Sequence, residues 1–160
     1  MTTLAKATGG TSGHPSTRRK PYYVENTIDF SVDDPAANDI VQFLNIPAET
    51  CVMAAGLEVL TASASGVTLD LGWTATSGNL TTEVDRWVDG YDSTSTGIAA
   101  LAPAHAGWVA YKVADTIDVK ILGAQDDAGK VRVWAVMVDI SGSDESASCL
   151  LYTSDAADDL

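Results

Sequence analysis

The residue types that most often carry out acid–base or nucleophilic chemistry are scarce in this chain. Its two histidines, His14 and His105, lie in segments of small and polar residues. Acid–base and nucleophilic catalysis needs several convergent groups, and histidine is the commonest proton mediator. We therefore expect both histidines to be ordinary exposed residues. The sequence predicts a protein that is not an enzyme, with no catalytic residues and no cofactor.

Metal-ligating patterns are also weak. Cys51 lies in an apolar stretch, which predicts a buried inert thiol and leaves no zinc site of the usual composition. The acid-rich residues 85–92 offer the carboxylate oxygens that calcium prefers, but they lack the spacing of an EF-hand loop. We interpret this run as a hairpin turn at Asp89 and Gly90 with solvated acids. A weak cation site between subunits is the alternative.

Four aromatic residues could form a platform on which a sugar ring stacks: Trp73, Trp87, Tyr91 and Trp108. Trp73 is in phase with Leu69, so its side chain should point into the core. For the set as a whole we favour packing in the core or between subunits. If Trp87 and Tyr91 lie in an exposed loop, they would bind carbohydrate instead. Trp87, Tyr91 and Trp108 are therefore possible interface or ligand-contact residues.

The elements that must position these residues are strands, because a period of two dominates the hydrophobic pattern. Apolar and polar residues alternate over residues 28–32, 67–73 and 117–121. Each of these segments predicts a strand with one face toward water. Residues 131–138 and 51–60 are apolar at nearly every position. That pattern predicts strands that are central or covered on both sides, and we expect these two to anchor the core.

Weaker apolar runs at residues 40–46, 84–88 and 108–113 bring the expected number to about eight strands. Residues 36–43 could form a short helix instead. Gly, Pro, Asn and Asp separate the runs, and many short strands with frequent turns are typical of sandwiches and jelly rolls. We predict an all-β fold over residues 21–148: a single-domain antiparallel β-sandwich that is jelly-roll-like.

Charge divides the chain into an arm and a body. Residues 1–20 hold four of the nine Lys and Arg residues and no acid, although the whole chain has 22 Asp and Glu and a net charge of −13. Few bulky apolar groups are present to order the arm, so it should be flexible. Its cations Lys6, Arg18, Arg19 and Lys20 are possible interface residues. The acidic body repels phosphate, so we expect no nucleic-acid partner.

The two ends of the chain bear on its processing. No apolar N-terminal segment is typical of a signal peptide, and no run is long enough to span a membrane, so we expect maturation in a reducing cytoplasm without a membrane partner. Residues 149–160, CLLYTSDAADDL, match translated sequencing-adapter DNA. We predict that they are an artefact of an environmental sequence assembly. The natural C-terminus would then lie at or beyond Ser148.

Four segments of the body resemble a family of small structural proteins of tailed bacteriophages, abundant in marine viral sequence. They are DIVQFLNIPA at residues 39–48, GVTLDLG at 66–72, DTIDV at 115–119 and GKVRVWAVMVDI at 129–140. These are strand and turn patterns rather than catalytic motifs. The resemblance implies a virion component assembled in the host cytoplasm: a capsid decoration or cement protein, or another head-associated protein.

The same resemblance implies the partners of the chain. They would be the phage major capsid protein and further copies of the chain, with a trimer favoured because such proteins commonly occupy local three-fold axes. The basic arm would contact an acidic surface of the capsid or of a neighbouring subunit. An arm without any partner is the alternative. The alternative function is a jelly-roll carbohydrate-binding module, in which Trp87 and Tyr91 would contact the sugar.

Overall fold

The structure, a computed structural model, describes residues 3–5, 20–63, 65–75, 80–100 and 107–141. Strands account for most of the described chain. The elements are β1 (Thr3–Ala5), β2 (Tyr22–Asp29), α1 (Phe30–Asp33), β3 (Ile40–Ile46), β4 (Thr50–Thr61), β5 (Thr68–Trp73), β6 (Glu83–Asp92), β7 (Gly97–Ala100), β8 (Val109–Tyr111), β9 (Asp115–Leu122) and β10 (Lys130–Asp139).

Two sheets pack face to face. Sheet A has the strand order β1-β3-β9-β5-β6, and sheet B has the order β2-β10-β4-β7, with β8 also paired to β4. The pairings are antiparallel except that of β1 with β3, which is parallel. The prediction of an all-β sandwich is confirmed. The described residues form ten strands rather than about eight.

The core lies between the two sheets, where alternate side chains from each strand meet. On β10, Val131, Val133, Ala135 and Met137 are all fully buried. This strand lies between β2 and β4, and β4 in turn lies between β10 and β7. Both strands that were predicted to be central are therefore central. Their apolar character on both faces reflects that position.

The predicted strand over residues 28–32 ends earlier than its alternation suggests. The Asp29 carboxylate accepts a hydrogen bond from the Ser31 amide at 3.2 Å and caps the single-turn helix α1, which ends at the left-handed Asp34. As a result Phe30 is buried whereas Val32 is 79% exposed. The helix considered for residues 36–43 is also wrong, because β3 begins at Ile40.

The Asp89-Gly90 pair is a bulge rather than the predicted hairpin turn. Strand β6 continues through it to Asp92, with a register shift against Leu69 and Leu71 of β5. Gly90 has a φ of 60°, a left-handed conformation that glycine adopts at little cost. An Asp-Gly sequence can therefore bend an edge strand without ending it.

Candidate interaction surfaces

Several residues named from the sequence lie outside the described part of the chain: Lys6, His14, Arg18, Arg19, His105, Ser148 and residues 149–160. Of the four arm cations, the structure describes Lys20, which is exposed. Within the arm, Thr3–Ala5 forms β1 and pairs with Ile40 to Gln42 at the edge of sheet A. Within residues 1–20, the structure therefore describes β1 and Lys20.

Trp87 is a core residue, which agrees with the favoured packing in the core or between subunits and rules out the alternative in which it lies in an exposed loop. It belongs to β6, is fully buried, and packs against Trp73 with ring centroids 5.4 Å apart. Because β6 changes register between its pairs with Leu71 and Trp73, the consecutive residues Trp87 and Val88 are both buried. This second register shift interrupts the alternation of buried and exposed side chains along β6. Trp73 itself is buried, as predicted.

The other two aromatic candidates have different surroundings. Tyr91 is partly buried, packs against the core from β6, and places its hydroxyl beside Gly97, where an added Cβ would lie 2.6 Å from it. Trp108 precedes β8 and is 69% exposed. Of the three aromatic residues proposed as ligand or interface contacts, Trp108 offers the accessible ring.

The outer face of sheet B carries an exposed aromatic patch that the sequence analysis missed. Because Val133 and Ala135 point into the core, the alternating Trp134 points outward, half-buried, and stacks on Tyr23 at a centroid distance of 6.4 Å. A Cβ on Gly56 would lie 2.5 Å from the Trp134 ring, so the glycine allows the indole to lie close against the sheet. We call Tyr23, Trp134 and Val136 the sheet B patch.

Charged side chains border the sheet B patch and tie three strands together. Arg132 donates to Glu58 on β4 at 2.9 Å and lies 3.9 Å from Glu25 on β2. The Tyr23 hydroxyl also donates to Glu25, at 2.8 Å. Hydrogen bonding to Glu58 raises the pKa of Arg132 further above its already high value. The border of the patch therefore presents both signs of charge in fixed positions.

Carboxylates on the outer face of sheet A are buried, although the strand pattern predicted that this face would be wet. Asp70 accepts from the Gly90 amide at 2.7 Å and so holds the β6 bulge. Asp118 accepts from the Thr74 amide at 2.9 Å and from the Thr116 hydroxyl at 2.6 Å. Burial raises the pKa of Asp118 to about 6 and raises that of Asp70 as well. These carboxylates organise neighbouring backbone.

A cavity of about 380 Å³ opens beside Trp108, where the start of β6 approaches β8. Its charged lining is the ion pair of Glu83 and Arg86, with Oε2 and Nη1 3.2 Å apart. The remaining lining residues are Trp73, Leu80, Thr81, Val109 and Ala110. We call this cavity the Trp108 pocket. It combines one exposed aromatic ring, an apolar floor and a donor–acceptor pair.

Cys51 is a free and buried thiol, as predicted, and burial raises its pKa. Within the described ranges, no three His, Cys, Asp or Glu side chains are grouped to hold a metal ion. In the same part of the chain, no helix has the length and apolar character needed to cross a membrane.

No family model and no curated protein matches the sequence. Solved structures do match its fold. A chain in the capsid of Ralstonia phage GP4 aligns with a TM-score of 0.66 and 15% identity, over 86% of this chain and 98% of that chain. A chain in the acidic stable capsid structure of Helicobacter pylori bacteriophage KHP30 aligns with a TM-score of 0.53 and 12% identity, over 76% of this chain and 90% of that chain. A chain in the cyanophage Pam1 capsid asymmetric unit aligns with a TM-score of 0.54 and 14% identity, over 76% of this chain and 86% of that chain. At these identities the likeness is one of fold: this sandwich is an architecture that also occurs in phage capsid structures.

Proposed function

We propose that this chain is a virion structural protein of a tailed bacteriophage, and more specifically a capsid decoration or cement protein. The observation that carries the proposal is the match to the chain in the Ralstonia phage GP4 capsid, which spans 98% of that chain and 86% of this one. Because nearly all of that chain is aligned, it is a sandwich of similar size and not one domain of a much larger subunit. An accessory protein on a shell has this kind of compact single module.

The buried acids support a structural role over a catalytic one. Asp70 and Asp118 have raised pKa values, which can mark active sites. Each is nevertheless engaged with a backbone amide of a neighbouring segment, that of Gly90 or of Thr74. Neither carboxylate lines the Trp108 pocket. We therefore assign these groups to folding rather than to chemistry.

Self-association is the part of the proposal that the sheet B patch supports. Tyr and Trp are enriched in the centres of protein interfaces, where they bury large areas at low entropic cost. Tyr23 is 57% exposed, and Ile98 of β7, at the opposite edge of sheet B, is 67% exposed. A further copy of this chain is the occupant we propose, in a trimer. The border of the patch carries Arg132 between Glu25 and Glu58, so a symmetry-related copy can present opposite charges to it.

The basic arm is the proposed capsid contact. Lys20 is exposed at the start of the folded body, and β1 pairs with the edge of sheet A. The arm sequence is basic and the body acidic, so the arm would bind an acidic surface that the body itself would be repelled by. Under this proposal the apolar contacts of the body supply most of the affinity, and the arm tunes it.

Binding to shells tests the function directly. The full chain is mixed with undecorated capsids assembled from the major capsid protein of the source phage, and the capsids are pelleted and imaged by electron cryomicroscopy. We expect the chain to pellet with the capsids at a saturating ratio and to add a sandwich-shaped density on their outer surface. If the chain stays in the supernatant at tens of micromolar, the decoration role is wrong.

A further inference from the structure

We propose that the Trp108 pocket binds a neutral sugar ring. The site differs from the carbohydrate site expected from the sequence, because Trp87 is in the core and takes no part in it. Trp108 supplies the aromatic face, and Glu83 and Arg86 supply polar contacts. The proposal concerns the isolated chain, so it does not depend on binding to a capsid.

The aromatic wall is accessible and is not needed by the core. Trp108 is 69% exposed, whereas Trp73, which lies below it in the same pocket, is buried. An exposed indole face costs free energy in water and gains on stacking against the C–H face of a pyranose ring.

The polar side of the pocket fits hydroxyl groups. Each sugar hydroxyl can both donate and accept a hydrogen bond, so it is best met by a fixed donor next to a fixed acceptor. Arg86 and Glu83 form such a pair, with Nη1 and Oε2 3.2 Å apart. The Nε atom of Arg86 is buried and has no hydrogen-bond partner within the described residues.

The rim of the pocket is held in place before any ligand binds. The Trp73 indole donates to the Thr81 carbonyl oxygen at 3.0 Å, and the Thr82 hydroxyl accepts from the Ala75 amide at 2.9 Å. These bonds fix the segment that contributes Leu80 and Thr81 to the lining. A preorganised rim lowers the ordering cost of binding, which matters for weak ligands such as single sugars.

Charge and size select the ligand class. The two charged lining residues, Glu83 and Arg86, balance each other, so the pocket has no excess charge to attract an ionic group. The chain as a whole has a net charge of −13, which disfavours anionic glycans. The volume of about 380 Å³ lies near the lower end of ligand pockets, roughly 300 to 1,000 Å³. A neutral hexopyranose, free or at the end of a surface polysaccharide, matches both limits.

The test uses the purified full chain and an array of immobilised methyl glycosides of glucose, galactose, mannose and N-acetylglucosamine, with sialylated and sulfated glycans beside them. Positive signals are followed by titration with the free methyl glycoside, monitored by tryptophan fluorescence. We expect at least one neutral glycoside to bind in the millimolar range or tighter. Trp108→Ala should weaken that binding at least tenfold, and Glu83→Gln about fivefold.

The matched control is Trp134→Ala, which removes a partly exposed tryptophan from the sheet B patch and should leave glycoside binding unchanged. Circular dichroism and the melting temperature establish that each variant is folded, and Trp108→Phe should recover part of the binding because it restores an aromatic face. The proposal is overturned if no neutral glycoside binds, if Trp108→Ala binds like the wild type, or if only anionic glycans bind and salt abolishes the signal.

Discussion

On the outer face of sheet A, Asp70 and Asp118 are at most 5% exposed and accept hydrogen bonds from backbone amides. On the outer face of sheet B, Tyr23 and Ile98 are 57% and 67% exposed. Polar residues are thus buried on one outer face, and apolar residues are exposed on the other. The carboxylates of Asp70 and Asp118 satisfy the backbone amides of Gly90, in the β6 bulge, and of Thr74, directly after β5. We propose that the exposed residues on this face of sheet B bind a partner.

The largest expected effect comes from breaking the close approach on the sheet A side. In Gly72→Ala, the new Cβ would lie 1.9 Å from the Glu83 carbonyl oxygen, which is backbone and cannot move aside. We expect a loss of at least about 3 kcal/mol in the free energy of unfolding, measured by urea denaturation, because overpacking here shifts a whole strand.

Gly56→Ala is the matched variant on sheet B. Its Cβ would lie 2.5 Å from the Trp134 ring, which can swing outward, and 2.8 Å from the Ala99 carbonyl oxygen. We expect a smaller loss, roughly 1 to 3 kcal/mol, accompanied by a changed tryptophan fluorescence. A larger loss for Gly56→Ala than for Gly72→Ala would contradict the difference between the two faces.

The second effect concerns pH and the buried acids. Burial raises the pKa of Asp118 from 3.8 to about 6, so between these values the folded protein holds a proton that the unfolded chain releases. Stability should therefore increase as the pH falls from 7 to about 4.5, by roughly 2 kcal/mol at about 1.4 kcal/mol per pKa unit. In Asp118→Asn, the free energy of unfolding from urea denaturation should change less with pH across this range. Asp70→Asn should also reduce the pH dependence of the free energy of unfolding, because burial raises the pKa of Asp70 as well. Stability that increases from pH 5 to pH 7 would rule out this account.

The third effect tests the sheet B patch as an interface between copies. Trp134→Ala removes the ring that stacks on Tyr23 at 6.4 Å. Truncation of a central interface tryptophan commonly costs about 2 kcal/mol, which corresponds to roughly a 30-fold weaker association. Sedimentation equilibrium measures the change, and Trp108→Ala serves as the control because it removes an exposed tryptophan that is not part of the sheet B patch. A wild-type chain that is monomeric at tens of micromolar would disprove self-association.

A smaller effect is expected from the arm. Replacing Lys6, Arg18, Arg19 and Lys20 by Ala keeps β1 in the chain, unlike deletion of the arm. Exposed charge pairs contribute only about 0.2 to 1 kcal/mol each and are screened by salt. Capsid binding should therefore weaken at low salt and approach the wild-type value at high salt. Equal capsid binding by the wild type and the variant at every salt concentration would show that the arm cations make no contact with the shell.

The smallest effect is expected from the C-terminal segment. If residues 149–160 are translated adapter DNA, as their sequence predicts, their removal should leave the melting temperature and the circular dichroism spectrum unchanged, because such a segment would not have been selected to pack against the body. Differential scanning calorimetry of the two lengths gives the comparison. A decrease of several degrees on truncation would mean that the segment stabilises the fold.

The sequence alone determined the fold class and the central strands. Side chains of a strand alternate between its two faces, so a strand can be predicted from local sequence alone. This holds for the strict alternation in residues 67–73 and 117–121 and for the apolar run 131–138, which form β5, β9 and β10. The sandwich then follows, since two apolar faces must cover each other. The buried Trp73 and the buried thiol of Cys51 were also accessible to this reasoning.

Tertiary structure decided which outward-pointing residues meet water. Asp70 follows the same alternation as any exposed residue, yet it is buried because the Gly90 bulge of β6 covers it. The sequence left open whether Trp87 packs in the core, packs between subunits or contacts a sugar, and the irregular register of the same strand places it in the core beside Val88. The sheet B patch combines Tyr23 and Trp134, which are 111 positions apart in sequence and become neighbours through the pairing of β2 with β10. Local periodicity contains no information about such long-range pairings or about the bulges that modify them, and the candidate surfaces of this protein depend on both.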